Sequence, residues 1–176
     1  KDSSKARFYR LAIYERGEIR GVLRTYYKDG KLQREIFYVN NQKNGSEKYY
    51  GEDGKIALDI PFVNGKQTGM EKIYAADGVL IEIPYKNGIK NGVQKLYYKS
   101  GKIMSEASYA DGKENGIDKG YYESGKLMME TPYINDKLTG VQKKYYEDGK
   151  LKSEITWKNG KQISSKNHDE NGTEIK

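Results

Sequence analysis

The sequence contains no cysteine, which excludes a disulfide framework and any thiolate metal site. No apolar run approaches the roughly 18 residues that span a membrane, so no transmembrane segment is expected, and no signal peptide is visible. The one imidazole, His168, has no nucleophile or carboxylate arranged around it, as a general base would need. No phosphate-binding loop survives either, because the glycines belong to an internal repeat and none opens a helix. Proline is scarce: Pro61, Pro84 and Pro132 are the whole complement, and no long helical period is present. Helix should be nearly absent.

What the chain has in excess is tyrosine. Of 176 residues 17 are Tyr, whereas chains too polar to fold are usually poor in aromatics. The apolar share is 35% and the charged share 32%, toward the disordered side of the globular average. Tyr buries a large ring and leaves its hydroxyl wet. That suits a thin structure of half-exposed side chains, ordered without a thick core. The length fits one domain or two small ones. A formal charge of +7 mildly favours acidic partners, and its plainer reading is a well-solvated surface. The chain begins Lys-Asp-Ser-Ser-Lys rather than with Met; a leader was removed by processing or cloning, or the start was cloned that way.

The stretch GVQKLYYKSGKIMSE at 92–106 returns as GVQKKYYEDGKLKSE at 140–154. Glycines recur at Gly21, Gly45, Gly69, Gly92, Gly116 and Gly140, and a second set follows nine residues later, from Gly30 to Gly149. A self-similar period of 23 or 24 residues marks a repeat array. Six units then cover 21–163 of a single repeat domain, with a partial unit at 1–20 and another at 164–176. Each unit reads as Gly, a strand ending in Tyr, an Asp-Gly or Ser-Gly turn, a second strand ending in an aromatic, and a looser Asn-Gly turn.

Two registers are open for the first turn. A two-residue loop sets Arg24 opposite Glu35 and Lys48 opposite Asp59, but demands positive φ at Ser100 and Ser124. A three-residue loop needs positive φ only at the Gly. It sets Tyr26 opposite Leu32 and Val22 opposite Ile36, and is preferred here. In that register Tyr26, Tyr50, Tyr74, Tyr97, Tyr121 and Tyr145 share one face with the Leu32, Ile36 and Tyr38 columns. No unit should then be stable alone. Residues 7–20 should add one strand, and His168 falls in the Tyr column of an array that stops mid-hairpin. Either the native protein continues there, or the edge strand is blunted by Lys and Glu.

The Gly-x4-Tyr-Tyr-x2-Gly-Lys-Leu core at 140–151 and the trailing Tyr-x-Asn-Gly at 85–88 resemble MORN repeats (membrane occupation and recognition nexus). Ile89 stands where the trailing motif has Lys. The nearest likeness is to a bacterial variant assigned as the antitoxin component of toxin–antitoxin modules. The resemblance covers about four fifths of the chain. It implies an all-β fold, an elongated, solenoid-like, single-layer antiparallel sheet of tandem hairpins. It also implies a function of binding, with no catalytic residue and no cofactor.

The candidate binding residues are the basic column Arg24, Lys48, Lys72, Lys95, Lys119 and Lys143 with the Tyr column beside it. One hairpin advances about 10 Å, near the Debye length, so their repulsion is tolerable. This stripe either meets an acidic partner or merely snorkels over the apolar ladder. The acidic column Glu35, Asp59, Glu82, Glu106, Glu130 and Glu154 reads as a solvated face or as salt bridges to nearby Lys. Its single carboxylates do not converge as calcium requires, nor differ in environment as acid/base catalysis requires. They also argue against nucleic acid, despite the Lys-Tyr interleaving. A non-catalytic scaffold for a protein partner is the first expectation, of toxin-neutralising or surface-interaction type. An attachment module for anionic lipid or cell-wall glycan is the second. The compartment stays unknown, with a bacterial envelope or secreted location slightly favoured over the cytoplasm.

Overall fold

The turns set the hairpins, so they come first. At the first turn of each repeat, where described, only the glycine is left-handed, with φ of 82° at Gly101 and 91° at Gly125. The amide of Gly101 donates to the Tyr98 carbonyl (2.8 Å), and the Tyr98 amide to the Lys102 carbonyl (2.8 Å). That is the expected three-residue loop, and Ser100 and Ser124 escape positive φ. The Asn-Gly turns are tighter than expected. Both central residues are left-handed, as at Asn64 (48°) and Gly65 (78°), and even at Asn135 and Asp136 without glycine. Short polar side chains tolerate that region, and its twist matches the flanking strands.

The computed structural model describes residues 14–15, 17–75 and 80–175. Of these, 68% lie in strands and none in a helix. The fold is all-β, an antiparallel sheet of tandem hairpins. Among the described residues two units can be distinguished, those up to 75 with 84–89 and 80–83 with 90–175. In the first unit six-residue strands Gly21–Tyr26, Gly45–Tyr50 and Gly69–Tyr74 accompany eight-residue strands Leu32–Val39 and Ile56–Val63. In the second, Gly92–Tyr97, Gly116–Tyr121 and Gly140–Tyr145 accompany Ile103–Ala110, Leu127–Ile134 and Leu151–Lys158. Pairings follow chain order, and within neither unit does the last strand return to the first. The interior is thin: Ile36 (1% exposed) and Ile83 (8%) are the buried apolar residues among those described.

The register corrects the expected faces. Tyr26 does lie opposite Leu32, but Gln33 is then left without a partner and the ladder shifts by one. Beyond this bulge Arg24 faces Glu35, Leu23 faces Ile36, and Val22 faces Phe37 rather than Ile36. The same shift leaves out Ala57, Met104, Met128 and Lys152. Side chains alternate along a strand, so one extra residue moves everything after it to the other side. The Tyr26 and Leu32 columns therefore share a face with the Lys and Glu columns, whereas the Ile36 and Tyr38 columns lie on the opposite face.

The expected strand at 7–20 falls largely outside the described residues; within them, Tyr14–Glu15 pairs with Glu18–Ile19. His168 does take the Tyr position. Its carbonyl accepts from the Tyr146 hydroxyl (2.9 Å), as the Tyr145 carbonyl accepts from Tyr122 (2.7 Å).

Candidate functional site

The candidate basic and tyrosine residues lie on the ladder face, and the acidic column lies among them. In the second unit cross-strand partners run Glu82, Lys95, Glu106, Lys119, Glu130, Lys143, Glu154 and Lys166. That is strict alternation, four carboxylates and four ammonium groups. In the first unit Arg24, Glu35, Lys48, Asp59 and Lys72 alternate likewise. Arg24 Nε lies 3.3 Å from Glu35, and the Lys95–Glu106 and Lys143–Glu154 pairs are each 3.6 Å apart. The acidic column thus pairs with the basic one on a shared face.

The tyrosines complete the network. Hydroxyls of Tyr50, Tyr97, Tyr121 and Tyr145 donate to Glu35, Glu82, Glu106 and Glu130 of the preceding repeat, at 2.7, 2.7, 2.8 and 3.1 Å. Tyr74 is instead 39% exposed. Burial, and then the bonded carboxylate, push Tyr50, Tyr97 and Tyr121 up to about 12. A folded value above the unfolded one means this stability is whole below pH 10.0 and is lost as pH climbs toward about 12. An alkaline titration read by tyrosinate absorbance should show a late-ionising class that coincides with unfolding. Tyr97→Phe, which removes the titrating hydroxyl, should shrink that class.

Two features escaped the sequence reading. Next to the ladder runs an apolar stripe, with Val93, Ile117 and Val141 at 40%, 51% and 43% exposure. These residues follow the repeat glycines, and the assumed register had grouped their column with the Ile36 column on one face. A second tyrosine column clasps neighbouring repeats: Tyr27 donates to the Tyr50 carbonyl and Tyr98 to the Tyr121 carbonyl, both at 2.6 Å.

The model of the MORN repeat variant matches 19–40, 43–64, 90–111, 114–135 and 138–159. The chain belongs to the MORN repeat variant family. Its MORN resemblance is therefore sound, while the match speaks of the repeat and not of a toxin–antitoxin role. MORN repeats are a non-catalytic repeat type often used as binding or scaffold modules. No curated protein matches this MORN chain significantly. Among the described residues no helix is long and apolar enough to cross a membrane.

Proposed function

We propose that this chain is a non-catalytic scaffold that binds a protein partner through its ladder face, in the manner of toxin neutralisation or surface interaction. The observation that carries this is the exposed Val93, Ile117 and Val141 stripe beside a charge-balanced ladder. Protein interfaces combine an apolar patch with a polar surround, and alternating charges set register against a partner. Lys95, Lys119 and Lys143 with Tyr97, Tyr121 and Tyr145 form the polar part of that surface in the second unit. Arg24, Lys48 and Lys72 with Tyr26, Tyr50 and Tyr74 form it in the first. A lipid headgroup layer or a glycan polyanion calls for net positive charge, and here carboxylates alternate with the cations.

The test compares the full chain with a Val93→Ser, Ile117→Ser, Val141→Ser variant, each immobilised and challenged with an extract of the source organism. Its three side chains are already exposed, so stability should change by less than about 0.5 kcal/mol per site. Capture of a partner should fall at least about tenfold and withstand raised salt, as expected when desolvated apolar contacts dominate. Phosphatidylglycerol vesicles should not bind at physiological ionic strength. Vesicle binding that fades with salt, without any captured protein, would replace this reading with membrane attachment. Equal capture by the variant would remove the ladder face from the interface.

A further inference from the structure

Among the described residues, bulge residues also line a cleft in each unit. In the second unit Tyr122, Met128, Met129, Lys144, Tyr145 and Lys152 enclose about 240 Å³. The equivalent cleft of the first unit includes Tyr27, Arg34, Tyr49, Tyr50, Gly51 and Ala57, and encloses about 500 Å³. Two truncations in the sequence accompany the larger space. Where the repeat starting at Gly140 has Tyr146, the repeat starting at Gly45 has Gly51; where the former has Lys152, the latter has Ala57. The Lys152 ammonium stands 5.1 Å from the Tyr146 ring centre, so in the second unit those side chains occupy one space together. In the first unit both are gone.

The lining decides what would fit. The three tyrosine hydroxyls are already committed: Tyr27 to the Tyr50 carbonyl (2.6 Å), Tyr49 to Glu47 (2.8 Å), Tyr50 to Glu35 (2.7 Å). They leave ring surface. Arg34 lies over the Tyr49 ring at 5.3 Å, and its Nε is buried with no acceptor among the described residues. Glu47 is bound by both Arg34 and Lys43, so one carboxylate answers two cations and a positive charge is left over.

We propose that this cleft binds a small aromatic carboxylate, its ring against the tyrosines and its carboxylate against the partly exposed Arg34 guanidinium. The volume lies within the range usual for ligand sites, about 300–1,000 Å³. A cationic molecule would meet the surplus charge of Arg34 and Lys43 with more of the same sign, and a purely apolar one would cover it without an acceptor. The cleft shares Tyr50 with the ladder-face interface, but its ligand and its test do not depend on that reading.

The probe is N-acetylphenylalanine, titrated into the full labelled chain and followed by amide chemical shifts. Saturable shifts are expected at Arg34, Tyr49 and Gly51, and none at Met129, Lys144 or Tyr145. N-acetylphenylalanine amide, which lacks the charge, should bind at least about tenfold more weakly. Gly51→Tyr should abolish the shifts by restoring the missing side chain. A Cβ at Gly51 meets Asp53 Oδ1 at 2.9 Å, the end of a movable side chain. Ala57→Lys, the residue of the other unit, is a second independent block. The proposal fails if the probe produces no saturable shift, or if both clefts respond alike. It also fails if the amide binds as well as the acid, or if the folded blocking variants still bind.

Discussion

Glu47→Gln is expected to destabilise the protein by about 2–3 kcal/mol, below the 3–5 of a fully buried pair because the cations are partly solvated. Glu47 is 1% exposed and is held by Arg34, by Lys43 Nζ at 2.7 Å, and by the Tyr49 hydroxyl at 2.8 Å. Burial alone would raise its pKa. The Lys43 and Tyr49 hydrogen bonds and the Arg34 and Lys43 charges outweigh burial and hold it below its usual value. Removing the carboxylate leaves two cations facing each other. The second unit contains the neutral version of this site: Met129, Leu138 and Gln142 stand where Arg34, Lys43 and Glu47 stand. There Gln142 Nε2 donates to Thr131 Oγ1 (3.2 Å) and approaches Met129 Sδ (3.7 Å).

The triple variant Arg34→Met, Lys43→Leu, Glu47→Gln should therefore recover part of the loss but not all of it, because Ile36 and Phe62 stand where Thr131 and Trp157 partner Gln142. Urea unfolding of single and triple variants measures both. The sign of the pH effect follows from the depressed value. Its stabilisation is present above 4.5, the ordinary carboxyl value, and is lost as pH falls through the folded one. The parent should lose this component on acidification and the triple variant should not. A triple variant as unstable as Glu47→Gln would show that the charged cluster is irreplaceable where it sits.

Gly140→Ala should cost about 2–3 kcal/mol, more than a left-handed glycine alone would explain. Gly140 has φ of 120°, and a Cβ there would lie 3.1 Å from Pro132 Cγ and 3.2 Å from Pro132 Cβ. Pro132 has little room to retreat. Its carbonyl accepts from the Thr139 amide (3.1 Å), so its ring nitrogen faces the same bulged neighbour, where the ladder asks for no donor. Across the hairpin Trp157 pairs with Gly140, an aromatic opposite the residue without a side chain. Gly149→Ala is the control: its φ is 94° but nothing lies within 4 Å of the added Cβ. It should cost about 1–2 kcal/mol, the conformational part only. Equal losses in thermal or urea unfolding would mean that the Pro132 contact contributes nothing.

The residues that escaped the sequence reading did so for identifiable reasons. Glu47 looks like any other charged residue in a strand, and only the packing of Arg34, Lys43 and Tyr49 around it shows that it is buried. The clasping tyrosines, Tyr27 and Tyr98 among them, sit at the turn, where a period-two pattern assigns no face. The first-unit cleft is made by residues that are not there, at Gly51 and Ala57. An absence carries a signal only after the positions of two repeats have been matched.

The sequence by itself determined the period, the all-β class, the three-residue loop around Gly101 and Gly125, and the place of His168 in the tyrosine column. Those are local properties, set by which residues tolerate positive φ and by repetition at a fixed spacing. Only the tertiary structure decided which columns share a face. Both registers considered from sequence proved partly real, the three-residue loop at the tip and the Arg24–Glu35 pairing beyond it. The bulge at Gln33 reconciles them, and no single residue type announces it. Side chains alternate with a period of two, so one inserted residue exchanges inside for outside along the rest of the strand. That exchange placed the carboxylates between the lysines and parted the Val93, Ile117 and Val141 column from the Ile36 column.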